Sequence, residues 1–191
     1  MGNKYLLSIL IVVIIFFNVA CNEEKKKDPE LAVTAEQKPG HPLWSAQSNI
    51  YEVNIRQYSS SGSILEFEKH LPRLKDMGVD ILWFMPITPI GKEGRKMNEK
   101  ELGSYYAVRD YKSFNEEFGT MEQWKTFVKN AQAMGFKVIT DWVANHTAVD
   151  NHWMTSHPGF YMRGSTGKTG TPFDWTDVRR LNYQNRELRD S

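Results

Sequence analysis

Hydrophobic and polar positions along the chain fall into stretches of distinct period. Met121, Trp124, Phe127, Val128, Ala131 and Met134 recur at three to four residues, the spacing of one helix face, and Thr120-Met121-Glu122-Gln123 has the form of a capping box. This predicts a helix over about 120–134. Gly135 ends that pattern, and Phe136 to Thr140, with adjacent β-branched Val138 and Ile139, reads as a buried strand. Val79 to Met85, apolar apart from Asp80 and closed by Pro86, reads as a second. Ahead of it, Ile64, Phe67, Leu71 and Leu74 draw another apolar helix face, which Pro72 should kink or restart and Met77-Gly78 should stop. Ile50 to Ile55 mixes apolar and polar positions as a half-buried strand does. Strand, helix, strand, loop, helix, strand is the order of an α/β fold whose parallel sheet is covered on both faces.

The amino end has a different texture. Lys4 precedes an apolar run from Tyr5 to Phe17, then Asn18-Val19-Ala20-Cys21, which together have the charged start, apolar middle and small-residue end of an export signal. The run is short of the roughly 20 residues that span a bilayer. Ala20-Cys21 resembles a bacterial lipoprotein cleavage site, with Asn18 where that pattern usually has an apolar residue. The resemblance implies a signal peptide over 1–20, a lipidated Cys21, and an exported protein anchored to a membrane on its periplasmic or cell-surface side. Residues 21–40 are polar, carry Pro29 and Pro39, lack periodicity, and read as a tether.

Composition narrows the function. With 40% hydrophobic and 25% charged residues, the 191-residue chain suits a globular domain with a real core. Lys plus Arg, 24, nearly balances Asp plus Glu, 23, so bulk charge favours neither nucleic acid nor an anionic surface and suits a neutral ligand. Six Trp, eight Tyr and ten Phe supply flat faces on which sugar rings pack. The single cysteine excludes an intrachain disulfide, and neither strand-to-helix turn carries a Gly-rich phosphate loop.

Candidate chemistry gathers at Asp141-Trp142-Val143-Ala144-Asn145-His146, a carboxylate, an amide and an imidazole where the third predicted strand ends. Ligands of parallel α/β folds sit outside the carboxyl ends of the strands. On spacing alone, Asp141 as a turn cap with Asn145 and His146 on a loop remains equally open. A metal site from His146, His152, His157 and Asp150 matches no tight ligand spacing. Asn145-His146-Thr147 fits a glycosylation acceptor, which requires a eukaryotic secretory route.

Asp141 to His146 resembles the first signature region of the alpha-amylase superfamily, glycoside hydrolase family 13, and other segments match that family in order. Gly78 to Pro86 looks like its second barrel strand. Gly103 to Tyr111, followed by Phe118-Gly119-Thr120, is similar to the loop with its substrate-stacking tyrosine, here Tyr106, preceded by Tyr105 where Gly or Pro is common. Asp174 to Tyr183 is similar to the segment returning from a small inserted domain, with Arg180 where many members place a calcium-binding Asp. The resemblance implies the amino-terminal part, about three β/α units, of a TIM (β/α)8 barrel: 41–146 from the catalytic barrel, and 147–191 from a small domain inserted after strand 3. It implies a retaining glycosidase acting on α-1,4-linked glucans or maltooligosaccharides, with Tyr106 and His146 holding substrate. Asp141 would support an arginine beyond Ser191, where the nucleophile and acid/base are also expected, and would here stand unpaired. Asn145 is the implied calcium ligand, but a cation at Arg180 opposes the ion. A non-catalytic carbohydrate-binding or partner subunit with the same barrel is the alternative.

Overall fold

The computed structural model describes residues 40–95 and 102–191. The expected signal peptide, Cys21 and nearly all of the tether lie outside the described residues. Residues 47–191 form one compact unit, and all that follows concerns it.

Three parallel strands make the central sheet, in the order β1 (Ile50–Val53), β2 (Ile81–Phe84), β3 (Lys137–Thr140). The register places Tyr51, Leu82 and Val138 in one row and Glu52, Trp83 and Ile139 in the next. Alternation along a strand sends these rows to opposite faces. The first face carries the core, where Val53, Leu82 and Phe84 pack against Phe67, Leu74 and Phe127. Phe84 meets Phe67, Phe127 and Trp124 edge-to-face at 5.4, 5.4 and 5.1 Å, the arrangement ring quadrupoles favour.

The helices follow the predicted signals closely. Asn54 caps α1 (Ile55–Tyr58), so β1 stops at Val53, two residues short of the expected end. The apolar face from Ile64 to Leu74 splits into α2 (Ile64–Glu68) and α3 (Leu71–Asp76), with Pro72 in the first turn of α3, where its missing N–H loses nothing. Helix α4 (Met121–Ala133) begins with the full capping box, Thr120 and Gln123 each accepting the other's backbone N–H. Gly78 (φ +80°) and Gly135 (φ +90°) close α3 and α4 in the left-handed conformation, and Val79 and Phe136 donate back five residues to Leu74 and Ala131. The same stop signal therefore launches both β2 and β3.

One expectation fails. The sequence pattern predicts residues 136–140 buried on both faces, yet of β3 only Val138 is even half-buried, and Ile139 is 44% exposed. Among the described residues, helices cover one face of the sheet alone. Ile139, Trp83 (36% exposed) and Ile50 stand on the other, and β3 is an edge strand in the described residues.

Past β3 the chain leaves the parallel sheet. Strand β4 (His146–Ala148) pairs antiparallel with β5 (Val178–Arg180), setting His146 opposite Arg180. Two short helices, α5 (Trp153–Ser156) and α6 (Arg186–Arg189), pack around Phe160, Tyr161 and Leu181. Ala148 donates its backbone N–H to Val108, which ties β4 to the loop bearing Tyr106.

Candidate active site

Asp141 lies just past β3, its N–H donating to the Phe84 carbonyl at 2.9 Å. Because Trp83 registers with Ile139, and positions 139 and 141 share a face, Trp83 and Asp141 both stand on the face away from the helices. The Trp83 indole N–H donates to Asp141 Oδ1 at 2.5 Å, and the Tyr106 hydroxyl donates to Oδ2 at 2.9 Å. The carboxylate expected to stand unpaired is thus engaged at both oxygens. Bonds to an ionised acceptor are stronger than neutral ones, so this pair of donors fixes its plane.

The loop carrying Tyr106 is held from α1. The Tyr105 hydroxyl donates to Asn54 Oδ1 at 3.0 Å, and the Arg56 guanidinium sits 4.3 Å over the Tyr105 ring. Arg56 also donates to the Gly103 and Leu102 carbonyls at 3.2 and 3.4 Å and pairs with Glu117 at 3.2 Å. Tyr105, where the family commonly has Gly or Pro, therefore has a strut of its own. Tyr106 keeps 40% of its surface exposed. Its phenol is pushed up from the ordinary tyrosine range, first by burial, then by the Asp141 bond and charge, and last by Glu52. It remains a neutral donor.

His146 opens β4 with only 7% of its surface exposed. Burial drives its imidazole below the usual range, opposed by the Tyr106 main chain and the charge of Asp177. The ring is neutral at neutral pH. Nδ1 lies 2.9 Å from the Asn145 amide nitrogen, so with that amide donating the ring proton sits on Nε2. Trp175 closes one side edge-to-face at 5.6 Å. Tyr106 thus stands between the other two residues, its hydroxyl on Asp141 and its main chain beside His146.

Three tryptophans here were not singled out in the sequence. Trp83 sits in an apolar run that predicts strand core, although its offset from Leu82 and Phe84 puts it on the opposite face. Trp142 is 78% exposed and stacks on Tyr111 at 6.0 Å, while the Tyr111 hydroxyl donates to the Val143 carbonyl at 2.7 Å. Trp142 and Tyr111 share a cleft of about 270 Å³ with Asp141 and Trp124. Trp175 lies far along the sequence, where only the chain's return to β4 brings it to His146.

Asn145 faces a separate cleft of about 360 Å³ with Met162, Arg180, Leu181, Asn182, Tyr183 and Gln184. That lining offers amides, a phenol and a guanidinium, and no carboxylate. Calcium takes six to eight oxygens, with carboxylates prominent among them, and this donor set does not fit it. His152 and His157 line a cavity with Asp110 and Glu187, away from His146 on β4. Among the described residues no three His, Cys, Asp or Glu side chains are grouped to hold a metal.

Residues 49–182, which hold all five strands, match the family described as the alpha amylase catalytic domain. This chain belongs to the alpha-amylase family. It is 40% identical to an alpha-amylase of known structure from Lactobacillus plantarum, with a TM-score of 0.71 over 75% of this chain and 33% of that one. A maltogenic alpha-amylase from Thermotoga neapolitana is 41% identical, with a TM-score of 0.66 over 74% and 33%. Among curated sequences, an oligo-1,6-glucosidase from Parageobacillus thermoglucosidasius is 30% identical over 116 residues, 58% of this chain and 19% of its own. The alpha-amylase-family chain thus spans a third or less of these relatives. Its parallel strands are part of a TIM (β/α)8 barrel, the fold class read from the sequence.

Proposed function

We propose that the protein cleaves or transfers α-1,4-linked glucose units as a retaining alpha-amylase-type enzyme, and that these 191 residues supply the side of the site that grips sugar. The observation that carries this is the placing of Tyr106. Its ring is partly open to solvent at the carboxyl end of the sheet, its hydroxyl sits on Asp141 and its backbone lies beside His146. A flat ring with a fixed edge suits the CH face of a glucose unit, and the neutral imidazole of His146 stands beside it as a hydrogen-bonding partner for a sugar hydroxyl. Hydrogen bonds that tighten as the sugar ring flattens lower the barrier.

Retaining cleavage needs a nucleophile and an acid about 5 to 5.5 Å apart. We assign both to sequence beyond Ser191, in line with the third of the Lactobacillus plantarum chain that is matched, and assign 41–146 to the barrel and 147–191 to its inserted domain. Calcium plays no part at Asn145 in this reading, since the surrounding groups do not suit it. Cys21 carries lipid after export and residues 21–40 tether the domain outside the cell; radiolabelled fatty acid incorporated by the native chain and lost in Cys21→Ser tests that half.

The enzymatic half is tested by incubating the protein, extended to the length of its relatives, with starch, maltodextrin and maltotriose. Release of reducing sugar is expected from the extended protein and none from residues 1–191 alone. Binding without release by the extended protein would instead establish a non-catalytic carbohydrate-binding subunit.

A further inference from the structure

We infer that Trp83 is a positioning residue, which fixes the Asp141 carboxylate and through it the angle of the Tyr106 ring. The functional sense of this rests on Tyr106 being the sugar platform; the geometry stands without it. Trp83 lies between Leu82 and Phe84, both fully buried, yet is 36% exposed itself, so its ring does not fill the core. The directed bond it makes is from its indole N–H to Asp141 Oδ1 at 2.5 Å.

A carboxylate held at one oxygen swings about its side-chain torsions. Held at Oδ1 by Trp83 and at Oδ2 by Tyr106, it presents one fixed point to the phenol. The other end of the residue is set by Tyr105, clamped between Asn54 and Arg56. Tyr106 has therefore surrendered much of its torsional freedom before a ligand arrives, and preorganisation of that kind is worth roughly three- to tenfold in affinity.

The test uses the whole chain, with Trp83→Phe and Tyr106→Phe alone and together, and with benzothienylalanine at Trp83, which keeps the ring and lacks the N–H, should Trp83→Phe not fold. Carbon-13 relaxation of the Tyr106 ring reads its order without ligand, and calorimetric titration with maltotriose reads binding. Expected are a Tyr106 ring that is ordered in the native chain and mobile without the indole N–H, and maltotriose affinity reduced about three- to tenfold. With Tyr106→Phe in the background, loss of the N–H should change affinity no further. Unchanged ring order, or an equal loss of affinity in both backgrounds, overturns the inference. A native chain that orders Tyr106 but does not bind maltotriose removes the sugar reading and leaves the positioning role standing.

Discussion

Arg56 reaches the loop bearing Tyr106 through three kinds of contact, and its contribution can be worked out. Its guanidinium lies 4.3 Å over the Tyr105 ring, a contact worth about 1 kcal/mol when partly desolvated. Its bonds to the Gly103 and Leu102 carbonyls, at 3.2 and 3.4 Å, are long, and together add about 1 kcal/mol. The pair with Glu117 joins a side chain 14% exposed to one 51% exposed, so solvent screening leaves it about 0.5 kcal/mol. Arg56→Ala should therefore lower stability by roughly 2 to 3 kcal/mol, as the terms share one side chain and do not add cleanly. Arg56→Lys keeps the charge but loses the planar fork, and should lose more than half of that amount. Equilibrium urea unfolding measures both, with an unchanged slope showing that the midpoint shift reports stability. A loss below about 0.5 kcal/mol for Arg56→Ala, or a neutral Arg56→Lys, would refute the strut.

Other consequences are as direct. Thr120→Ala removes the hydroxyl that accepts the Gln123 N–H at 3.2 Å, and should cost about 1 kcal/mol in the same assay, with Thr120→Ser restoring most of it. The His146 pKa is lowered on folding, so its neutral form contributes stability above the ordinary imidazole pKa of about 6.5 that is lost as pH falls through the folded value. Thermal midpoints should fall on mild acidification, and His146→Gln should flatten that slope; a slope unchanged in the variant would exclude His146 as its source. Since the Asn145 cleft holds Arg180 and no carboxylate, adding calcium or a chelator should leave the thermal midpoint unmoved, and a rise with calcium would count against the donor-set argument.

How much could be read in advance depended on the range of the interaction. Helix α4 was legible because its signals are local: a capping box at Thr120, a face repeating every three to four residues, and Gly135 to stop it. Asp141 and His146 were legible as polar residues after an apolar run, and Tyr106 through the family loop. What Asp141 bonds to was not, because both donors are remote in sequence: Trp83 lies 58 residues away and Tyr106 lies 35. Tyr105 stands where the resemblance expects Gly or Pro, and only the fold shows Arg56 and Asn54 arriving from α1 to receive it. The exposure of β3 was misjudged for a related reason. Two adjacent β-branched residues announce a strand, but which faces are covered is decided by elements elsewhere.

That last point yields a quantitative contrast. Leu82 and Ile139 both read as buried strand residues in the sequence, yet they stand on opposite faces of one sheet. Leu82 is fully buried among Val53, Phe67 and Phe127, and Leu82→Ala should lower stability by roughly 2 to 5 kcal/mol through lost transfer energy and the cavity left behind. Ile139 already shows 44% of its surface to solvent, and Ile139→Thr, which keeps the β-branch, should cost less than about 1 kcal/mol. If the two losses prove equal in dilute protein, something covers the Trp83–Ile139 face in solution, since exposed surface cannot give that much on truncation. Repeating the unfolding at rising protein concentration then decides whether the cover is a second copy, because only association makes the midpoint depend on concentration.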